Sequence, residues 1–161
     1  MIGEEGTILI SWAYRYLSYR SRTEKEMREY LLKKAHTYGF SSELVDEVIT
    51  LLKEEQYLDD RAFIAEFVRA RSSSKPKGVF VLRQELLHKG ISQILLDEYF
   101  ESHILPELDL AQKALQKIWY RLKSLEPLLR RKRAGDFLRR RGFTYDAIQE
   151  TIEELEGREY N

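Results

Sequence analysis

One short motif occurs three times along this chain, and its spacing constrains the fold more than any other feature. In each copy a glycine is followed by an apolar residue and then by a serine or threonine, and successive glycines stand 51 and 52 residues apart. The copies are Tyr38-Gly39-Phe40-Ser41, Lys89-Gly90-Ile91-Ser92 and Arg141-Gly142-Phe143-Thr144. A repeat of this length predicts one structural unit used three times.

The residues around each glycine predict two helices joined by a tight connector. In the first copy, Leu31 and Ala35 precede the glycine and Val45 and Ile49 follow it, and the other copies keep these positions apolar. A spacing of four places each pair on one helical face. Glycine ends a helix in the left-handed conformation without steric cost, and the serine or threonine of the motif then caps the next helix.

A further amphipathic stretch precedes each pair of helices, at residues 12–19, 61–71 and 110–122. Each unit is therefore predicted to contain three helices. No segment shows the sustained alternation of apolar and polar residues that is typical of a strand. The sequence predicts an all-α fold of about nine helices in three tandem three-helix repeats. We place the repeats at residues 8–57, 58–105 and 106–157.

Local signals add detail to this prediction. Thr23 and Glu26 have the spacing of a capping box at the start of the second helix. Asp59 and Asp60 supply a cap and a first-turn acid to the fourth helix. The segment 72–78, with three serines, a proline and a glycine, is predicted to be a flexible loop or hinge inside the central unit.

Several aromatic residues fall at the helical spacing of a core, and we interpret them as core residues. They are Trp12, Tyr16, Phe63, Phe67 and Trp119.

Positive charge is concentrated in two blocks, although the chain has 27 basic and 27 acidic residues. The first block contains Arg69, Arg71, Lys75, Lys77 and Arg83, without an intervening acid. The second is densest at Arg130, Arg131, Lys132, Arg133, Arg139, Arg140 and Arg141. These twelve residues are the candidate surface for an acidic protein partner or DNA phosphates. The alternatives are a solvated linker for the first block and a solvated basic helix for the second.

No pattern in the chain indicates catalysis, a cofactor or a metal. Cysteine is absent, and His36, His88 and His103 have no ligand spacing. No phosphate-binding glycine loop is present, and the pair Asp59 and Asp60 is better explained by capping. The acidic opening residues and the lack of a long apolar stretch predict a cytoplasmic location.

The central unit closely resembles the second repeat of the RecX family, regulators of the bacterial RecA recombinase. The resemblance is carried by Tyr57-Leu58-Asp59-Asp60, by Phe63-Ile64-Ala65-Glu66-Phe67-Val68 and by Leu82-Arg83-Gln84-Glu85-Leu86-Leu87-His88-Lys89-Gly90-Ile91-Ser92. The stretch Phe137-Leu138-Arg139-Arg140-Arg141-Gly142-Phe143 resembles the family's C-terminal repeat, and Tyr16-Leu17-Ser18-Tyr19-Arg20-Ser21-Arg22 resembles its N-terminal repeat. Together the resemblance covers nearly the whole chain.

The resemblance implies a curved protein of three helical modules that lodges in the groove of a RecA–DNA filament. We expect it to be elongated and monomeric, since no segment shows the pattern of an extended coiled coil. Such a regulator would restrain filament growth, ATP hydrolysis and strand exchange in recombinational DNA repair and the SOS response, without an activity of its own. Two alternatives stay open from the residues alone. One is a helical protein that binds DNA directly, and the other is an α-solenoid scaffold for an unrelated acidic partner.

Overall fold

The computed structural model describes residues 2–159, and this part of the chain forms nine α-helices and no strand. The first module contains α1 (Glu4–Leu17), α2 (Glu24–Tyr38) and α3 (Ser42–Glu54). The second contains α4 (Asp60–Ser74), α5 (Val79–His88) and α6 (Gln93–Ser102). The third contains α7 (Glu107–Leu122), α8 (Pro127–Arg140) and α9 (Tyr145–Glu159). The predicted all-α fold of three tandem three-helix repeats is confirmed.

The three connectors have the predicted geometry. Their glycines have φ values of +76°, +89° and +84°, in the left-handed region that glycine adopts freely. The apolar residue after each glycine donates its N–H back to the last turn of the preceding helix, as from Phe40 to the carbonyl of Ala35 at 2.9 Å. The caps then accept an N–H three residues ahead, and they are Ser41, Ser92 and Thr144.

The other predicted helix starts are also present. Thr23 and Glu26 form a reciprocal capping box at the start of α2. Asp59 accepts the N–H of Ala62 at 3.0 Å. Asp60 has an additional role, because its Oδ1 accepts the N–H of Glu24 at 2.9 Å and so ties the start of α4 to the start of α2.

The helices form two compact units that do not coincide with the three modules. The first unit includes the residues up to Ala65 together with Leu86–Leu95. Its core is formed by α1, α2 and α3 around fully buried residues such as Leu9, Met27 and Leu52. The second unit includes Glu66–Glu85 and the residues from Leu96 onward. Its core is formed by α7, α8 and α9. The second module is thus divided between the two units.

The predicted hinge at residues 72–78 is wrong in two respects. Helix α4 continues through Ser74, and Lys113 and Lys117 of α7 donate to the carbonyls at its end. The hydroxyls of Ser72 and Ser74 bond to carbonyls four residues back within the helix. The remaining connection is fixed at two points, since Gly78 donates its N–H to the carbonyl of Arg141 at 2.8 Å and Arg141 Nη1 donates to the carbonyl of Pro76. The first basic block therefore lies mainly on helices.

None of the helices within residues 2–159 is long and apolar enough to cross a membrane. The same residues contain no group of three histidine or carboxylate side chains arranged to hold a metal ion.

Candidate partner-binding surface

Two arginines of the second basic block hold α8 against α9. Arg130 is 8% exposed, and its Nη2 lies 3.4 Å from Glu156 Oε1, while Nη1 lies 3.7 Å from Glu159 Oε2. Arg131 donates from Nε to Glu156 Oε1 at 3.2 Å and from Nη2 to the other oxygen. These hydrogen bonds to Glu156 raise the pKa of the Arg131 guanidinium. Glu156 is itself 8% exposed and serves both arginines.

Most of the first basic block is also engaged within its own unit. Glu85 accepts the Lys77 ammonium and lies 3.3 Å from Arg71 Nε. Arg71 in addition stacks on Phe67, with its guanidinium carbon 4.9 Å from the ring centroid. Arg83 forms an ion pair with Asp97 of α6. These residues position α4, α5 and α6. Because their charges already pair with carboxylates of the protein, they are less available to a partner.

The outward side of α8 presents four cations to solvent. With 3.6 residues per turn, Lys132, Arg133, Arg139 and Arg140 share roughly a third of the helix circumference, opposite the buried residue Leu138. All four are exposed, and the only ion pair among them in the described part of the chain joins Arg139 Nη1 to Asp136 at 3.0 Å. Arg139 nevertheless keeps 71% of its side chain exposed. We call these four residues the α8 cationic face.

The two basic blocks meet at the connection between α4 and α5. Arg141 binds this connection from the end of α8 through Pro76 and Gly78. Lys75 is exposed in the same connection, and Arg69 is exposed on α4. The structure therefore brings the first block beside the end of the second, within one compact unit.

Lys113 and Lys117 have a role that sequence reasoning missed. Lys113 Nζ donates to the carbonyls of Ser72 and Ser73 at 3.2 and 3.3 Å, and Lys117 Nζ donates to the carbonyl of Ser74 at 3.0 Å. Cations next to the last carbonyls of a helix also interact favourably with the negative end of the helix dipole. The four-residue spacing of the two lysines on α7 was visible in the sequence. It did not indicate which carbonyls the lysines would contact.

Glu107 is a second missed residue. One of its oxygens accepts the N–H of Val79 at 2.9 Å, and the other accepts the N–H of Thr144 at 3.1 Å. A single carboxylate at the start of α7 thus satisfies amides at the starts of α5 and α9, where negative charge is favoured. In the sequence Glu107 reads only as a first-turn acid of its own helix.

The third module lacks an acid that the first two modules have after their connectors. Seven residues after the connector glycine, the first two modules have Asp46 and Asp97, which pair with Arg28 and Arg83 of the preceding helix. The third module has Gln149 at this position. The pairing of α8 with α9 uses the buried Glu156 instead, which within residues 2–159 pairs with Arg130 and Arg131 and with none of the four outward cations.

The chain matches three models of one family, in order along its length. The first three-helix domain of RecX matches residues 11–52, the second matches 59–99 and the third matches 106–152. Among curated proteins, the chain is 31% identical to Regulatory protein RecX of Streptococcus mutans over 148 residues, covering 89% of this chain and 54% of the relative. It is 32% identical to Regulatory protein RecX of Chlorobium limicola over 145 residues, covering 90% of this chain and 87% of the relative.

Solved structures show the same fold. A crystal structure of RecX from Lactobacillus salivarius superposes with a TM-score of 0.80 at 22% identity, covering 95% of this chain and 97% of that one. A second crystal structure, of regulatory protein RecX, gives 0.76 at 26% identity and covers 93% and 74% of the two chains. The chain spans about half the length of several curated relatives, including that from Streptococcus mutans. On the three matched domains and these relatives, the chain belongs to the RecX family of regulatory proteins.

Proposed function

We propose that this protein binds the RecA recombinase on DNA and limits filament growth, ATP hydrolysis and strand exchange during recombinational DNA repair. It acts in the cytoplasm as a monomer and through binding alone, without catalysis. Membership of a family of regulatory proteins and the resemblance of all three repeats support this proposal.

The observation that carries the proposal is the α8 cationic face. Four cations on one exposed helical side, with a single acid among them, create a positive potential that attracts acidic protein surfaces and phosphates. A protein that binds a recombinase on DNA meets both. Of the twelve candidate residues, we assign partner contact to the exposed ones, Arg69, Lys75, Lys132, Arg133, Arg139 and Arg140. We assign positioning roles to Arg71, Lys77, Arg83, Arg130, Arg131 and Arg141, which are engaged within the protein.

The test is RecA filament assembly and ATP hydrolysis on single-stranded DNA, with increasing amounts of this protein. The intact chain is expected to inhibit below a one-to-one ratio with RecA. The variant Lys132→Ala/Arg133→Ala/Arg139→Ala/Arg140→Ala is expected to need at least about tenfold more protein for the same inhibition, because four charge contacts of a few tenths of a kcal/mol each are lost.

The matched control keeps the charge and changes only its shape. Arg133→Lys/Arg139→Lys/Arg140→Lys should retain most of the inhibition if the face acts through its potential. Circular dichroism of both variants must show intact helices. Full inhibition by the alanine variant would refute the assignment of this face, and absence of inhibition by the intact chain would refute the proposed function itself.

The same exposed cations favour direct DNA binding as a second candidate function. Binding of RecA-free DNA would be strong and would fall steeply with salt, and the quadruple alanine variant would reduce the log–log salt slope by about 3 if each cation contacts a phosphate. Weak binding with a shallow slope would favour the recombinase. Enrichment of an acidic protein other than RecA in a pull-down would favour the scaffold alternative.

A further inference from the structure

Helices α1 and α2 of the first module share a row of aromatic rings on their outer side. Tyr16 and Tyr30 stack with centroids 4.1 Å apart and planes 14° from parallel. Trp12 contacts Tyr38 at 4.9 Å and Phe40 at 6.1 Å between centroids. Trp12 and Tyr16 were predicted to be core residues, and both pack against the core of the first module while remaining half-buried. Tyr38 is 58% exposed. We call this row the aromatic ladder.

Two cations are inserted in the ladder. The guanidinium of Arg22 lies 3.7 Å from the Tyr16 ring centroid. Lys34 Nζ lies 5.4 Å from the Trp12 centroid and 5.8 Å from that of Tyr30. All three distances are within the range of cation–π interactions. The rings therefore hold these charges in place at the surface.

This arrangement differs from that of Arg28 and Lys53 in the same module. Arg28 pairs with Asp46, and Lys53 Nζ lies 2.8 Å from Glu24 Oε2, so carboxylates neutralise both. Within residues 2–159, neither Arg22 nor Lys34 forms an ion pair with a carboxylate. An aromatic ring orients a cation without cancelling its charge, so the ladder keeps its positive charge available.

We propose that the aromatic ladder of α1 and α2 is a docking surface for an acidic segment of a partner protein. Carboxylates of the segment would pair with Arg22 and Lys34, and its apolar side chains would pack on the outer edge of Trp12 and Tyr38. Aromatic edges carry partial positive charge, which also favours acidic groups. Tryptophan, tyrosine and arginine are the residues that dominate the energy of protein interfaces.

The ladder favours a protein segment over a nucleic acid. Single-stranded nucleic acids bind by stacking bases on open ring faces. Here one face of Tyr16 is covered by Tyr30 and the guanidinium of Arg22 lies over the ring, while Trp12 is packed by Tyr38 and Phe40. The proposal is independent of the α8 cationic face, which belongs to the other compact unit.

The chain carries its own reporter for the test. Its two tryptophans are Trp12, in the ladder, and Trp119, which is 8% exposed and donates Nε1–H to Glu159. In a Trp119→Phe chain, Trp12 fluorescence is titrated with a short peptide of glutamate and leucine, with its glutamine analogue and with a thymidine oligonucleotide. Calorimetry on the intact chain provides the same comparison if Trp119→Phe does not fold.

Saturable binding of the glutamate peptide and none of the glutamine analogue is expected. The Arg22→Gln/Lys34→Gln variant is expected to bind the peptide about tenfold more weakly, as for the loss of two partly exposed ion pairs. The control Arg28→Gln/Lys53→Gln removes two neutralised cations of the same module and should bind as the intact chain does. The proposal is overturned by absent peptide binding, by equal weakening in both double variants, or by oligonucleotide binding that depends on Arg22 and Lys34.

Discussion

Arg28 of α2 and Arg131 of α8 occupy the same place in their repeats, eleven residues before the connector glycine, and both pair with the following helix. The partner of Arg28 is Asp46, whose side chain is 62% exposed, whereas the partner of Arg131 is Glu156, at 11%. Glu156 also serves the buried Arg130. At this repeat position the first module therefore has an ion pair on its surface, whereas the third has one whose carboxylate is buried, with other cations left outside.

The largest loss of stability is expected when the buried carboxylate, Glu156, is removed. Glu156→Ala removes the nearer of the two carboxylates that pair with the buried Arg130 and leaves only Glu159, at 3.7 Å. The free energy of unfolding of the third module should therefore fall by about 3 kcal/mol, the low end of the cost of breaking a buried ion pair. Asp46→Ala should cost less than about 1 kcal/mol, because exposed pairs contribute little. Urea unfolding followed by Trp119 fluorescence checks the first variant, and circular dichroism checks the second. Exposed Glu150→Ala is the control for loss of an acid from α9. Similar losses for Glu156→Ala and Asp46→Ala would contradict the difference in burial.

The connectors of the two modules can be compared in the same way. A Cβ added at Gly142 would lie 2.6 Å from the backbone nitrogen of Val81, whereas one added at Gly39 meets nothing within 4 Å. Gly39→Ala should therefore lower the free energy of unfolding by about 1–2 kcal/mol, because alanine is strained in the left-handed conformation. Gly142→Ala should lower it by about 1–3 kcal/mol more, because the added Cβ also collides with Val81. Thermal unfolding of the two variants measures the difference. Equal melting shifts would show that the backbone at Gly142 relaxes freely.

Acid is expected to act on the first module through Glu26. Burial alone would raise the pKa of Glu26, but hydrogen bonds from Arg20 and the Thr23 N–H, together with Lys89, lower it to about 2 from 4.5. The stability that this carboxylate contributes is therefore complete above pH 4.5 and is lost as the pH falls toward 2. The loss should be about 2 kcal/mol after allowance for solvent screening.

Melting temperatures between pH 6 and pH 2 measure this effect, with Glu26→Gln as the variant that removes it. Asp60 opposes the trend, because burial raises the pKa of Asp60 and its protonation favours the folded state. Asp60→Asn should therefore make the acid loss steeper. A melting temperature of the intact chain that does not fall with acid would contradict the role of Glu26.

The smallest effect is expected when the acid that the third module lacks is restored next to α8. Gln149→Asp restores the acid that the first two modules have at this repeat position. The added carboxylate should weaken binding of RecA filaments about twofold, since one partly screened charge contributes about 0.5 kcal/mol. Inhibition of RecA ATP hydrolysis measures the change, and Gln149→Glu and Gln149→Ala separate charge from size. A loss with Gln149→Ala would show that the amide itself matters.

The repeat and its local signals predicted the helices, connectors and caps, because these depend on residues within one or two turns of each other. Thr23 with Glu26 and the glycine of each connector are such cases. The predicted hinge at 72–78 was wrong because Lys113 and Lys117, some 40 residues away, stabilise the end of α4. The division at residues 8–57, 58–105 and 106–157 stays a prediction.

The candidate site was predictable as a set of cations but not as a surface. The sequence showed where positive charge is dense, yet burial of Arg130 and pairing of Arg71 and Lys77 depend on Glu156 and Glu85 across the fold. No local pattern indicated these partners. The aromatic ladder was likewise not predicted, because the spacing of Trp12 and Tyr16 indicates contact with the core, which they make, but not the part of each ring that stays exposed.

The capping of α4 by Lys113 and Lys117 has a consequence for synthesis of the chain. The last carbonyls of α4 acquire their lysine partners only after α7 has left the ribosome, and residues 66–85 belong to the same compact unit as the third module. In a nascent chain that ends near residue 105, the first module is complete. Of α4, however, only the residues up to Ala65 belong to the compact unit that has been fully synthesised. Truncation at the apparent border between the second and third modules therefore cuts through one compact unit.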